Sequence, residues 1–197
     1  MTDWCPSCQE LKVEQSNVAS PVVESKIAAP DFLSVFQNHV AYVWHTLRRL
    51  GIQEADLEDV AHDVFIQVYR QLDQYDPGRP IRPWLFAFAF RKASEHRRQS
   101  RFRLEVLGEP ADPPDIAPTA LDQVLRLEAL NLGHAALAEL ELGQRAVFVL
   151  HELDDCAMPE VALALEIPLN TAYSRLRLAR AEFAKAVRRL RLRRGDL

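Results

Sequence analysis

Between Asp31 and Leu50, the apolar residues Phe32, Val35, Phe36, Val40, Val43, Trp44, Leu47 and Leu50 recur at three- and four-residue steps. That spacing gathers them on one side of a helix. Gly51 comes next, where a helix-ending glycine belongs. His39 and His45, on or beside this helix, read as structural or solvated. A second stripe of Leu57, Val60, Ala61, Val64, Phe65, Val68 and Leu72 predicts a helix over about 54–73. Its opening turns carry Glu54, Asp56, Glu58, Asp59 and Asp63. Acidic side chains favour the positive end of a helix dipole. Five in ten residues exceed that need and offer a docking face for a basic protein surface.

Tyr75-Asp76-Pro77-Gly78-Arg79-Pro80 is a turn-rich break. A third helix is predicted from about Arg82, with Pro83 in its first turn. It opens on Trp84, Leu85, Phe86, Phe88 and Phe90 and continues through Arg91, Lys92, Arg97, Arg98, Arg101 and Arg103. Leu85, Phe88 and Ala89 suit a core, whereas Trp84 suits core and surface equally. An aromatic cluster beside a cationic face can stack unpaired bases and hold their phosphates.

Residues 104–118 hold four prolines and several acids, which predicts an extended linker and no regular helix. Helices resume from Thr119: Ala120 to about Leu140, then Gly143 to Leu153 with Val147, Phe148, Leu150 and Leu153 apolar. From Met158 to Arg191 the pattern is a short helix, a tight turn and a longer basic helix. Pro159 sits in the opening turn, Pro168 interrupts, and Asn170 or Thr171 is placed to cap the longer helix. Ala172, Leu176, Ala179, Phe183 and Val187 form the inward stripe of that helix. A helix-turn-helix sets the N-terminal end of its second helix in the DNA major groove. Small polar residues and arginines there are the side chains that read base edges. Residues 1–30, without sustained periodicity, read as a flexible leader. The expected fold is all-α: two small helical domains at 31–103 and 119–194, joined by the linker 104–118.

The net charge of -4 argues against nucleic acid only if it is spread evenly, and it is not. Residues 1–90 carry 7 basic and 12 acidic side chains, and residues 91–103 carry 6 and 1. Residues 104–174 carry 2 and 13, and residues 175–197 carry 9 and 2. Two compact cationic zones separated by acidic sequence suit two separate contacts with a phosphate backbone.

An apolar fraction of 48% supports a packed core, yet no stretch offers the ~18 uninterrupted apolar residues that cross a bilayer. The first residues lack the basic start and apolar run of a signal peptide, so a cytoplasmic location without membrane insertion is expected. Cys5 and Cys8 form a CPSC pair with a spacing used by zinc and dithiol sites. Zinc wants four ligands, and no second pair lies nearby, so no metal or cofactor is expected. Cys156 reads as a small, partly buried residue. No glycine-rich phosphate loop and no nucleophile–base grouping points to an enzyme.

Three stretches together resemble the extracytoplasmic-function, or group-four, sigma factors of bacterial RNA polymerase. Asp56-Leu57-Glu58-Asp59-Val60-Ala61-His62-Asp63-Val64-Phe65 is similar to the family's polymerase-docking helix, with His62 and Asp63 where Gln and Glu are usual. Arg82-Pro83-Trp84-Leu85 and the basic run after it resemble the promoter -10 helix, with Phe90, Arg91 and Glu95 where Arg, Asn and Asp are usual. Ile167 to Leu176 resembles the -35 reader, with Glu166 and Asn170 in place of two glycines.

The resemblance implies a region-2-like three-helix bundle that docks on core RNA polymerase through Asp56, Glu58, Asp59, His62, Asp63 and Gln67. It implies -10 recognition and melting by Arg79, Trp84, Arg91, Lys92, Arg97, Arg98 and Arg101. It implies -35 recognition by Asn170, Thr171, Ser174, Arg175, Arg177 and Arg180 of a region-4-like helix-turn-helix domain. Thr171, Ser174 and Arg175 are the candidates for base edges or adjacent phosphates, and Arg177 and Arg180 for phosphate. Promoter DNA, core polymerase and an anti-sigma factor are the implied partners. A helix-turn-helix regulator acting apart from polymerase explains residues 119–194 alone. A thiol or zinc sensor explains only the CPSC pair.

Overall fold

The computed structural model describes residues 30–107 and 121–194; the side chains of 101–107, 121–127 and Arg194 lie outside that description. The elements are α1 (Phe32–Leu50), α2 (Leu57–Gln71), α3 (Ile81–Leu107), α4 (Leu121–Ala138), α5 (Leu142–Phe148), α6 (Met158–Ala164) and α7 (Leu169–Arg194). Among the described residues there is no strand.

α1 begins where the Asp31 carboxylate accepts the Ser34 N–H at 3.4 Å. It ends in a Schellman turn, with Gly51 at φ 96° and the Ile52 N–H bonded to the Leu47 carbonyl at 3.1 Å. α1, α2 and α3 pack on each other through the predicted stripes: Val43, Leu47, Leu57, Val64, Val68, Leu85, Phe86 and Ala89 are fully buried. Phe36 and Leu33, at 37% and 58% exposure, stay outside this core. Short 3-10 turns, Glu54–Asp56 and Leu72–Gln74, flank α2, which is therefore shorter than the predicted helix at both ends. α3 keeps its helical backbone to Leu107, four residues into the stretch expected to be linker. The prolines responsible for that expectation all come later, from Pro110 onward, so nothing breaks the helix before it.

In the second bundle the Glu141 carboxylate caps α5 by accepting the Gln144 N–H at 3.2 Å. The predicted helix 143–153 is regular only to Phe148, and Val149–Leu153 form a wider π-turn. Ala136, Leu140, Ala146, Val147, Val161, Ala172 and Ala179 fill the core between α4, α5, α6 and α7. α6 ends in a second Schellman turn, with Glu166 at φ 54° and the Ile167 N–H bonded to the Ala162 carbonyl at 3.0 Å. α7 starts at Leu169, and the Ala172 N–H reaches the Pro168 carbonyl. The first turn thus already contains Asn170 and Thr171, neither of which is the cap. Proline before the helix fixes that earlier start.

The two bundles pack against each other, and their buried side chains form one continuous apolar cluster. At its edge the Asp154 carboxylate accepts hydrogen bonds from the Tyr42 hydroxyl at 2.8 Å and from Arg49 Nη1 at 3.0 Å. Arg145, 3% exposed, reaches from α5 to the Leu50 carbonyl at 2.9 Å and to the Ala138 carbonyl at 2.7 Å. Arg91 of α3 meets Glu166 at 3.3 Å.

Candidate nucleic-acid interface

The first candidate surface is the opening of α3 and the turn before it. Asp76 closes that turn by accepting the Gly78 N–H at 2.9 Å, and the Tyr75 hydroxyl donates to the Arg79 carbonyl at 2.5 Å. The turn presents the Tyr75 ring 4.9 Å from Trp84, and Phe88 stands edge-on to Trp84 at 4.9 Å. Trp84 is half-buried: it packs on these two rings and also lines a cleft of ≈ 480 Å³. Arg79, Phe88 and Arg91 line the same cleft, with Arg91 4.7 Å above the Phe88 ring. An aromatic plane flanked by guanidinium groups is what an unstacked base and its phosphate require.

Along α3 the cations differ in availability. Arg98 is exposed, whereas Arg97 is half-buried near Arg145. Lys92 holds Asp63 at 3.1 Å and Glu95 at 3.4 Å. The Asp63 hydrogen bond holds the Lys92 ammonium above its ordinary range, against the opposing effect of burial. The side chain of Arg101 lies outside the described residues.

The acidic face of α2 divides in the same way. Asp56 sits 3.1 Å from His96, and Asp63 is held by Lys92. Glu58, Asp59 and His62 point to solvent, and among the described residues no ion pair engages Glu58 or Asp59. Gln67 is half-buried on the same helix.

The second surface is the start of α7. Asn170, Ser174 and Arg177 are exposed and Thr171 half-exposed, as the helix-turn-helix pattern requires. Tyr173, 52% exposed in the same turn, belongs with them. Its place between Ala172 of the inward stripe and Ser174 of the outward one was the signal available in the sequence. Arg175 is half-buried, and its guanidinium lies over the backbone of Gly143, where an added Cβ would stand 2.9 Å from Nη1. Arg180 pairs with Glu152 at 2.6 Å, and Arg189 pairs with Glu139. Cys156 is buried, and burial pushes its thiol up to about 11. Cys5 and Cys8 lie outside the described residues. Among the described residues no group of three His, Cys, Asp or Glu side chains is placed to hold a metal ion, and no helix is long and apolar enough to cross a membrane.

The family models for sigma-70 region 2 and sigma-70 region 4 match residues 35–103 and 134–183. The chain is 31% identical over 162 residues to the RNA polymerase sigma factor CnrH of Cupriavidus metallidurans, covering 78% of this chain and 84% of the relative. This chain belongs to the extracytoplasmic-function sigma factors. It is also 31% identical to the sigma factor RpoE of Cereibacter sphaeroides, over 90% of this chain and 91% of that one. The fold is similar to that of CnrH in complex with the cytosolic domain of CnrY (TM-score 0.56, 26% identity, 78% of this chain and 85% of that one). It is also similar to RpoE of Bartonella quintana in complex with the anti-sigma factor NepR (TM-score 0.66, 20% identity, 80% of this chain and 97% of that one). As a sigma factor, the chain binds core RNA polymerase and directs it to promoter DNA.

Proposed function

We propose that the two surfaces divide promoter recognition between them. Residues 31–103 dock on core polymerase and open the -10 element, residues 119–194 read the -35 duplex, and 104–118 join them. The carrying observation is the Tyr75–Trp84–Phe88 aromatic group with Arg79 and Arg91 around one cleft. Strand opening costs a few kcal/mol per unstacked step, roughly what stacking on such a plane returns. Lys92, Arg97, Arg98 and Arg101 form the phosphate track.

Polymerase docking falls to Glu58, Asp59 and His62, the part of the α2 face left open, with Asp63 and Gln67 at its edge and Asp56 holding α3 through His96. At the -35 element Asn170, Thr171, Tyr173 and Ser174 face bases, and Arg177 meets phosphate. Arg175 orients the turn over Gly143, and Arg180 reaches phosphate only after leaving Glu152. The sigma factor itself has no catalytic site, acts in the cytoplasm beside polymerase and is held in check by an anti-sigma factor. That last expectation draws support from the two solved relatives, each bound to a partner.

Run-off transcription with core polymerase over a promoter panel tests the reading. Selective initiation that Trp84→Ala and Thr171→Ala each weaken is the expected result. Initiation untouched by Trp84→Ala would remove α3 from -10 recognition.

A further inference from the structure

The start of α7 differs in kind from the rest of that helix. Leu169-Asn170-Thr171-Ala172-Tyr173-Ser174 carries no charge, whereas from Arg175 onward the helix is rich in arginine. Two of the nearest arginines are committed within the protein. Arg175 is half-buried with its guanidinium over Gly143, and Arg180 pairs with Glu152 at 2.6 Å. Arg177 is thus the first exposed guanidinium that no carboxylate engages among the described residues. It follows Leu169 by two turns, about 12 Å along the axis. The major groove is about 8.5 Å deep. With the end of α7 against the base edges, Arg177 therefore stands at the phosphate rim and not among the bases.

What the end of the helix exposes is apolar or neutral. Leu169 is 41% and Tyr173 52% exposed, one turn apart on the same flank. A single exposed leucine is ordinary. Here two large apolar side chains stand together, next to the exposed Asn170 and Ser174, with Thr171 on the opposite flank.

A surface of this composition has a definite complement. Guanine shows the groove two acceptors, O6 and N7, which are most often met by the fork of an arginine or by a lysine. Neither residue type occurs between Leu169 and Ser174. An A·T pair shows a different edge: the C5 methyl and O4 of thymine beside N6 and N7 of adenine. The carboxamide of Asn170 has the donor and acceptor that adenine requires. The Tyr173 ring, with Leu169 one turn before it, offers the apolar contact that the methyl requires, and its hydroxyl end can stay wet.

We infer that the -35 duplex recognised by this chain is marked by A·T pairs under the first turns of α7, with Tyr173 and Leu169 against a thymine methyl and Asn170 on an adenine. The inference rests on the proposed placement of this end of α7 in the -35 major groove, to which it adds the identity of the bases. Tyr173 and Leu169 set preference, and Arg177 contributes affinity that is blind to sequence.

The test uses holoenzyme assembled from core polymerase and the full chain. Promoter duplexes randomised upstream of the start site are selected by binding and sequenced. The expected -35 block contains A·T pairs. In the selected duplex each thymine of that block is then replaced in turn by deoxyuridine, which removes the C5 methyl and leaves base pairing intact. The expected result is binding about fourfold weaker at one position, the worth of one buried methyl group. Tyr173→Ala, whose unfolding midpoint is expected to match the parent's because the side chain is exposed, binds the thymine and uracil duplexes alike. Asn170→Ala relaxes the preference for adenine over guanine by at least about fivefold at a neighbouring position. A -35 block made of G·C pairs alone overturns the inference. So does a uracil series without effect at any position, or a methyl penalty that survives both Tyr173→Ala and Leu169→Ala. Failure of the underlying reading looks different: no block is enriched upstream of the -10 element, or its base preferences stay the same when Thr171 and Ser174 are also replaced by alanine.

Discussion

Gly51 and Arg145 fit together across the two domains: a methyl group on Gly51 would collide with the guanidinium that caps the end of α1. The glycine therefore satisfies two demands, a left-handed φ of 96° and a seat for a buried charge. Gly51→Ala is expected to cost about 1–2 kcal/mol from the backbone alone, and more if Arg145 must move. Urea unfolding checks it. Arg145→Lys is expected to be no rescue of Arg145→Met, because one ammonium cannot reach both the Leu50 and Ala138 carbonyls. Each variant is expected to lose about 2 kcal/mol.

Charge reversal at Asp59 is expected to weaken the complex with core polymerase without lowering the unfolding midpoint, because its side chain is exposed and makes no ion pair among the described residues. Asp63→Lys is expected to do both, since it also strips Lys92 of its 3.1 Å partner. Competition for core polymerase and thermal unfolding, run side by side, separate the two effects.

At the -35 element the variants are expected to separate by kind. Thr171→Ala is expected to lose about 1–3 kcal/mol of discrimination at one base pair if its contact is to a base edge. Arg177→Ala is expected to weaken all duplexes alike and to flatten the salt dependence by about one phosphate's contribution. Arg175→Ala is expected to lower stability as well as binding, because its guanidinium packs over Gly143. Electrophoretic shifts over single-base operator variants, with the salt varied, distinguish these outcomes.

His134 gives a pH signature. Burial and the charges of Arg48, Arg49 and His45 hold its imidazole below the ordinary 6.5, so the folded protein resists taking up this proton. Its contribution to stability is complete above about 6.5 and is lost as pH falls from there through the lowered value. Asp154 acts in the opposite sense: burial raises its carboxyl, so its contribution is largest in acid and is lost as pH rises through the raised value. The two are separated by difference. The stability of the parent relative to His134→Gln is expected to fall between about pH 7.5 and about pH 5.5, measured from urea midpoints.

The helices were legible because each domain buries one apolar stripe per helix: the α1 to α3 stripes and the Ala172–Ala179 stripe are where the spacing put them. Element ends were less so. The π-turn after Phe148 leaves apolar periodicity intact while changing the backbone, and the start of α7 was set by Pro168, two residues ahead of the polar caps expected. Residue type identified the cationic runs, yet it does not say which cations are already engaged. Arg175, Arg180 and Lys92 look in sequence like Arg98 and Arg177, and only the fold pairs or packs them. The contact between the domains left the weakest trace. Tyr42 and Asp154 lie 112 positions apart, and no local pattern links them.

Cys156 lies beside that contact, buried, with its thiol about two decades less acidic than an ordinary one and its Sγ–H pointing at the Asp154 carbonyl. Local opening around Asp154 is expected to expose this sulfur. The sequence holds three cysteines, so a thiol-reactive dye should report Cys156 as its own slow phase when the domains are together and a quick one when they part. Cys156 is thus expected to time any opening of this contact in a cuvette, without labelling a single engineered position.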